Sequence, residues 1–260
     1  MQIPQNPRPG DVPKIAADVL GRLRARAPRV HCLTNAVAQN FTANLLLAVG
    51  AVPSMTIAPE EIAQFVSRSE ALLVNLGTFD HERREGAEIA VETASQDGVP
   101  WVLDPVFIDR TPPRAAFARQ LVASCPKIVR LNHSEFSALA GAEATTEALT
   151  RYARDHKVVL GLSGETDVIT DGARVVAIAN GHPLMARVTA VGCAGSALAA
   201  ACLAVESDPW PACATALLVL GIAGEIAAET ARGPGSFAVA IIDLLYGLNG
   251  ATLIERARVA

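Results

Sequence analysis

ALLVNLGTFDHERREGAEIAVETASQDGVPWVLDPVFIDRTPPRAAFARQLVASCPKIVRLN, residues 71–132, holds three short apolar runs: ALLVNLG from Ala71, PWVLDP from Pro100 and KIVRLN from Lys127. Polar, alanine-rich segments separate them and read as helices from about Asp80 to Gln96 and from Pro113 to Ala123. Runs of this length are too short for helices. Apolar at nearly every position, they fit strands covered on both faces, the mark of a parallel sheet with crossover helices. The expected architecture is α/β, a central mainly parallel sheet with helices on both faces. In such sheets ligands bind beyond the carboxyl ends of the strands, so the polar residues that close each run are the ones to weigh.

The same alternation continues toward both termini. A helix over Lys14 to Ala27, introduced by Asp11 and Pro13, leads into the strand RVHCL at Arg29 to Leu33. Val37 to Val49 reads as a helix, VPSMTI at Val52 to Ile57 as a strand, and Glu60 to Arg68 as a helix opened by Pro59. After KIVRLN, a helix is expected over Ser134 to Ala140. Three short strand signals follow, KVVLGLSG, DVITDG and ARVVAIANG, and then three closely spaced helices between Gly192 and Gly247. The sequence NGH followed by Pro183 reads as a hairpin turn. No internal repeat or linker interrupts the pattern, so residues 1–260 are expected to form one domain.

Composition excludes several classes of function. A formal net charge of −4 without a Lys/Arg cluster argues against a nucleic-acid face. The five cysteines (Cys32, Cys125, Cys193, Cys202, Cys213) form no CxxC pair and have no metal-ligand spacing to any histidine. That usage implies no zinc site and suits a reducing cytoplasm. The start, MQIPQNPRPGDVPK, lacks the apolar core of a signal peptide. Ala212 to Ala228 is apolar but interrupted by Gly221, Gly224 and Glu225, so it reads as a buried helix rather than a membrane span.

The strand ends supply a polar rim: Thr34 and Asn35, Asn75 and Thr78, Asp104, then Arg130, Asn132 and Glu135, then Ser163, Gly164 and Glu165. Each residue type also suits helix caps and turns. Asp104 and Glu135 stand out because two neighbouring carboxylates repel unless a cation or basic group lies between them. Magnesium with a polyphosphate fits, and Arg130 supplies a fixed positive charge for phosphate. Further along, GHPLMARVTAVGCAGSALAAACLAV, Gly181 to Val205, changes character at Gly192. A turn over Thr189 to Gly192 opens into a buried helix whose first N–H groups and positive dipole end make a seat for phosphate. Cys193 occupies that seat, and the dipole is expected to bias it toward thiolate. The other reading open for Cys193 is a buried, inert residue in a small-residue helix start. Neither GxxxxGK[ST] nor GxGxxG is present, so any nucleotide chemistry here uses neither a P-loop nor a dinucleotide fingerprint.

Taken in order, VHCLTN, NFTANLLLAVGA, SM, APEE, NLGT, LDPV, RLNHSE, SGETDVITDG, NGHPLM, RVT, GC, GIAGEIAAE and GPGSF resemble the motif run of the hydroxyethylthiazole kinases, within the ribokinase-like fold. The resemblance extends from about Val30 to Leu248. It implies an ATP- and magnesium-dependent transfer of phosphate to the primary alcohol of 4-methyl-5-(2-hydroxyethyl)thiazole in thiamine biosynthesis. It also implies a cytoplasmic homotrimer with its sites at subunit interfaces. By the same resemblance Met55 lines the thiazole pocket with Asn35 as its polar neighbour, and Ala190 makes a backbone contact to substrate. Arg130 and Ser163 contact ATP, and Val191 and Gly192 offer backbone to phosphate. Cys193 takes the place of a catalytic residue beside the attacking hydroxyl, orienting it and taking its proton late. Asp104 and Glu135 organise magnesium through water.

Three loops depart from the family pattern. TAVGC stands where TGTGC or TGAGC is usual, so Ala190 and Val191 replace residues that allow close approach and φ > 0. Phe107 to Arg110 follow LDPV where small, glycine-containing residues are the rule, and Leu131 stands in place of Gly. Three alternatives stay open on the sequence: a kinase for a related small alcohol, a degenerate ligand-binding homologue, and a cysteine hydrolase using Cys193 with His182 as its base.

Overall fold

A computed structural model describes residues 7–260, so the opening of the polar N-terminal stretch lies outside the described residues. One eight-stranded sheet organises the chain: β1 (Arg29–Leu33), β2 (Val52–Ser54), β3 (Ala71–Asn75), β4 (Trp101–Asp104), β5 (Ile128–Asn132), β6 (Val159–Ser163), β7 (Asp167–Thr170) and β8 (Val175–Ile178). The spatial order is β2-β1-β3-β4-β5-β6-β7-β8. Strands β1 to β6 pair in parallel, and β7 and β8 close one edge antiparallel. The mainly parallel α/β expectation is met.

Two helical layers cover the sheet. On one face lie α1 (Val12–Arg26), α2 (Gln39–Val49), α8 (Val191–Leu203), α9 (Pro209–Thr230), α10 (Pro234–Gly247) and α11 (Gly250–Arg256); on the other lie α3 (Ile62–Ser67), α4 (His81–Asp97), α5 (Pro112–Ala123), α6 (His133–Ala140) and α7 (Thr146–His156). The two-residue period of a strand sorts side chains between the layers. Ala71, Leu73, Val102 and Ile128 face the first layer, and Leu72, Val74, Leu103 and Val129 the second. Carried to the strand ends, that period puts Asn75, Asp104, Arg130 and Ser163 on the face covered by α8 and α9. Alternation alone thus gathers the polar termini of four strands on one face, under α8 and α9.

Several boundaries differ from the sequence reading. Strand β2 ends at Ser54, so Met55 follows the strand instead of lying within it. Helix α7 was not expected, although its signals are present: Thr145 caps it by accepting the Ala148 N–H, and Ala148, Leu149 and Ala153 form its buried stripe. The hairpin turn expected at NGH-Pro183 is a 3-10 turn over Pro183–Arg187, with the His182 ring accepting the Leu184 N–H at 3.2 Å. Helix α9 is long and apolar enough to cross a membrane, yet most of it is buried among α1, α8 and α10. Close packing of that layer depends on small residues. A Cβ on Gly195 of α8 would stand 2.8 Å from Leu220, and one on Gly161 of β6 would stand 2.7 Å from the sulfur of Cys213.

Candidate active site

At the carboxyl ends of β5 and β6 a cleft of about 760 Å³ opens between the start of α8 and the turn after β8. Arg130, Ser163, Val191 and Gly192 line it, as do Gly164 and Met185. The Arg130 guanidinium is buried and donates Nη1–H to the Gly192 carbonyl at 2.8 Å, while its Nε has no partner. One end of this fixed cation therefore clasps the helix start. Ser163 donates its hydroxyl to the Leu131 carbonyl at 3.2 Å, which ties β6 to β5 at the mouth of the cleft.

The turn before α8 passes through a left-handed backbone at Ala190, φ 76° and ψ −8°, and no side chain caps the first helical turn. Ala190 thus adopts the conformation that the usual glycine would provide, and Phe107 does the same in the loop after β4 with φ 60°. With no cap, the N–H groups at the start of α8 stay available to an anion.

Cys193 lies one residue beyond the cleft-lining Gly192 and is half-buried. Burial, with the nearby Asp104 carboxylate, pushes its thiol up to about 11, against the opposing pull of Asn75, Asn35 and Arg130. The expected bias toward thiolate is overturned: desolvation of a sulfur beside a carboxylate outweighs the helix dipole. Cys193 is a thiol at neutral pH.

Asp104 and Glu135 are both buried, and the Glu135 charge acts on Asp104. Burial raises Asp104 to about 7; Arg130 opposes this and Glu135 adds to it. Glu135 is also raised by burial, although its Oε1 accepts the Phe107 N–H at 3.0 Å and its Oε2 the Asn132 N–H at 2.9 Å. The second bond is half of a capping box, since the Asn132 side chain in turn accepts the Glu135 N–H at 2.9 Å. Glu135 therefore shapes the Phe107 loop and the start of α6 directly. Among the described residues no group of three or more His, Cys, Asp or Glu is arranged to hold a metal ion. Two carboxylates, one of them already committed to N–H groups, fit an ion that arrives with phosphate oxygens and water, as magnesium does, and do not fit a resident all-protein site.

Asn35 is fully engaged. Its Oδ1 accepts the N–H groups of Val37 at 3.1 Å and Ala38 at 3.0 Å, and its Nδ2 donates to Asn75 Oδ1 at 3.0 Å and to Cys193 Sγ at 3.3 Å. Met55, by contrast, sits apart from this chain at the β2 edge, half-buried and packed against the core. His182 lines the cleft, but its Nδ1 is spent on capping the following turn. The cysteine-hydrolase alternative loses its base. Sequence reasoning left Asn75 among general rim residues, although a lone amide closing an otherwise apolar strand was its signal.

The chain matches the model of the hydroxyethylthiazole kinase family over residues 20–250. It is 43% identical over 252 residues to a probable hydroxyethylthiazole kinase of Agrobacterium fabrum, covering 96% of this chain and 97% of that protein. The solved structure of a hydroxyethylthiazole kinase from Pyrococcus horikoshii OT3 superposes with a TM-score of 0.91 at 37% identity, covering 95% of this chain and 98% of that one. A ribokinase-like superfamily protein from Enterococcus faecalis, 13% identical with a TM-score of 0.66 over 96% of this chain and 92% of that one, shares the fold. With a ribokinase-like sheet, an open helix start over its strand ends and a family match across most of its length, this chain belongs to the hydroxyethylthiazole kinase family, phosphotransferases with an alcohol as acceptor.

Proposed function

We propose that the chain transfers the γ-phosphoryl group of ATP to the primary alcohol of 4-methyl-5-(2-hydroxyethyl)thiazole. The observation that carries this reading is the convergence of Arg130 and the uncapped start of α8, which line the cleft, with Cys193 and the Asp104–Glu135 pair beside them. Phosphoryl transfer through a loose transition state needs alignment and charge stabilisation more than a strong base. In this reading Arg130 and Ser163 hold ATP, and the N–H groups at Val191 and Gly192 face the transferred group. Magnesium carried by the nucleotide would offset phosphate charge, with Asp104 and Glu135 anchoring its water shell. Cys193, kept as a thiol, orients the alcohol, whose oxygen bonds to the γ-phosphorus as the bond to the leaving ADP oxygen breaks. The hydroxyl proton passes late to an oxygen of the transferred phosphoryl group, because a sulfur already protonated has no lone charge to take it. Ala190 contributes backbone toward the substrate. Asn35 acts by holding Cys193, since its own amide is committed within the protein.

Met55 is assigned to the thiazole pocket and the assembly to a homotrimer in the cytoplasm. Support for a covered edge comes from β2, the terminal strand of the sheet, and from Val37, Leu47, Val52 and Phe65, large apolar residues exposed on and around α2, β2 and α3. An uncovered edge strand bordered by apolar side chains favours burial by another subunit. A coupled assay of ADP release with the thiazole alcohol, run with and without magnesium, tests the reading. Magnesium-dependent turnover is expected. Thermal stabilisation by the thiazole with no ADP release would make the chain a degenerate binding homologue, and turnover only with other small alcohols would reassign its substrate.

A further inference from the structure

Asn75 has no part in the assignment above, yet it stands at the centre of the polar cluster. It closes β3 after four buried apolar residues and is itself 1% exposed. Its Cα pairs across the sheet with that of Asp104. Nδ2 donates to Asp104 Oδ2 at 2.7 Å, while Oδ1 accepts the Gly77 N–H at 3.0 Å and Asn35 Nδ2 at 3.0 Å. The amide has only one orientation that satisfies these partners, because the Gly77 backbone N–H can only donate and so holds Oδ1 toward it, leaving Nδ2 to face Asp104. That orientation dictates the next one. Facing an acceptor oxygen, Asn35 must present its nitrogen, and the second hydrogen of that nitrogen reaches Cys193 Sγ at 3.3 Å. Gly77 makes room for Asn35 in this position, since a Cβ there would lie 2.6 Å from the Asn35 side chain.

The donors along Asp104, Asn75, Asn35 and Cys193 therefore run in a defined direction. The sulfur accepts from the protein side, and its own hydrogen is left to turn away from Asn35. We propose that Asn75 is a positioning residue for the phosphoryl transfer, relaying the fixed place of the Asp104 carboxylate through Asn35 to the sulfur of Cys193, so that the thiol meets the alcohol in one orientation. This rests on the reading of Cys193 as the residue beside the alcohol. Asn75 acts on the sulfur through Asn35 and through its own side-chain bond to Cys193, and its loss leaves Asn35 with a spare donor and Asp104 with a lost one.

A double-mutant cycle with the thiazole alcohol and ATP tests the relay. Asn75→Ala is expected to lower kcat by about 10-fold or more in the parent, with the KM for ATP within about two-fold, and to cost less than about three-fold in a Cys193→Ala background. Asn75→Ser, which keeps a hydroxyl near the Gly77 N–H, replaces the alanine variant if that one does not fold. Parental kcat in the Asn75 variant, or the same factor in both backgrounds, overturns the relay while leaving Cys193 in place. A Cys193→Ala enzyme of parental rate overturns the catalytic reading of Cys193, and the relay falls with it.

Discussion

Replacing Ala190 with glycine should stabilise the protein, the reverse of what a glycine at a helix boundary does elsewhere. Ala190 holds φ 76°, ψ −8° immediately before α8. A side chain in the left-handed region costs about 1–2 kcal/mol relative to glycine. Against this, glycine loses roughly 0.4–1 kcal/mol more backbone entropy on folding. The balance favours Ala190→Gly by about 0.5–1 kcal/mol. For a chain of 260 residues, at about 2.1 cal/mol/K of unfolding entropy per residue, that raises Tm by roughly 1–2 °C. Ala190→Val carries the opposite sign, because a β-branched residue tolerates this backbone worst, and should lower Tm by several degrees. Differential scanning calorimetry on parent and both variants reads the two signs directly, with ADP release measured alongside. A Tm lowered by Ala190→Gly, or unchanged by Ala190→Val, would refute the left-handed turn at the start of α8. The glycine variant should keep at least parental kcat, since it restores the family's residue without moving the backbone.

Cys193→Ala is expected to lower kcat by roughly 10 to 1000-fold with ATP affinity nearly intact, and an unchanged kcat removes Cys193 from the chemistry. Glu135→Gln should raise the magnesium concentration for half-maximal turnover well above any change in the KM for the thiazole. It should also cost about 1–2 kcal/mol in urea unfolding, because an amide cannot accept both the Phe107 and Asn132 N–H groups; identical magnesium curves reject the metal assignment. His31, buried with its ring bonded to Ser54 and the Thr56 carbonyl, is lowered by burial from 6.5 to about 4, so the unfolded chain binds a proton that the folded chain refuses between those values. Its contribution is full above about pH 6.5 and falls by about 3 kcal/mol as pH drops to 4. Asp104, raised to about 7, works in the other direction over the same range, so the measurement is the stability difference between parent and His31→Gln at pH 7 and pH 4.5, and a difference that does not move with pH refutes it. Met55→Ala should raise the KM for the thiazole several-fold and leave that for ATP within about two-fold, as expected from losing sulfur–ring contacts and packing; equal weakening of both substrates argues against a thiazole pocket at the β2 edge.

The layered sheet was legible because burial on both faces leaves a plain mark on sequence. ALLVN, WVLD and IVRL are apolar at almost every position, and β3, β4 and β5 appear where those runs are. Local chemistry also announced the turn before Gly192, and the departure of TAVGC from the family pattern pointed to the left-handed demand at Ala190. Strand β2 was read too long, because Met55, Thr56 and Ile57 have strand-forming side chains while only Val52–Ser54 find a partner in β1. Pairing is a tertiary event that propensity does not report.

The site divides in the same way. Which residues are polar at the strand ends is a property of the sequence, and the strand period gives their common face. The state of Cys193 is not. A helix start alone argues for a thiolate, and only the packed structure reveals that the sulfur is desolvated and set beside Asp104, which reverses the sign. The engagement of Asn35 was likewise invisible, because the bonds from Asp104 to Asn75, Asn75 to Asn35 and Asn35 to Cys193 span gaps of 29 to 158 residues in the chain, whereas the capping box of Asn132 and Glu135 is local. Sequence determines the elements and the chemical groups they carry; pKa values and hydrogen-bond direction are set by distances between groups remote in the chain, and those distances exist only once the sheet and α8 have packed together.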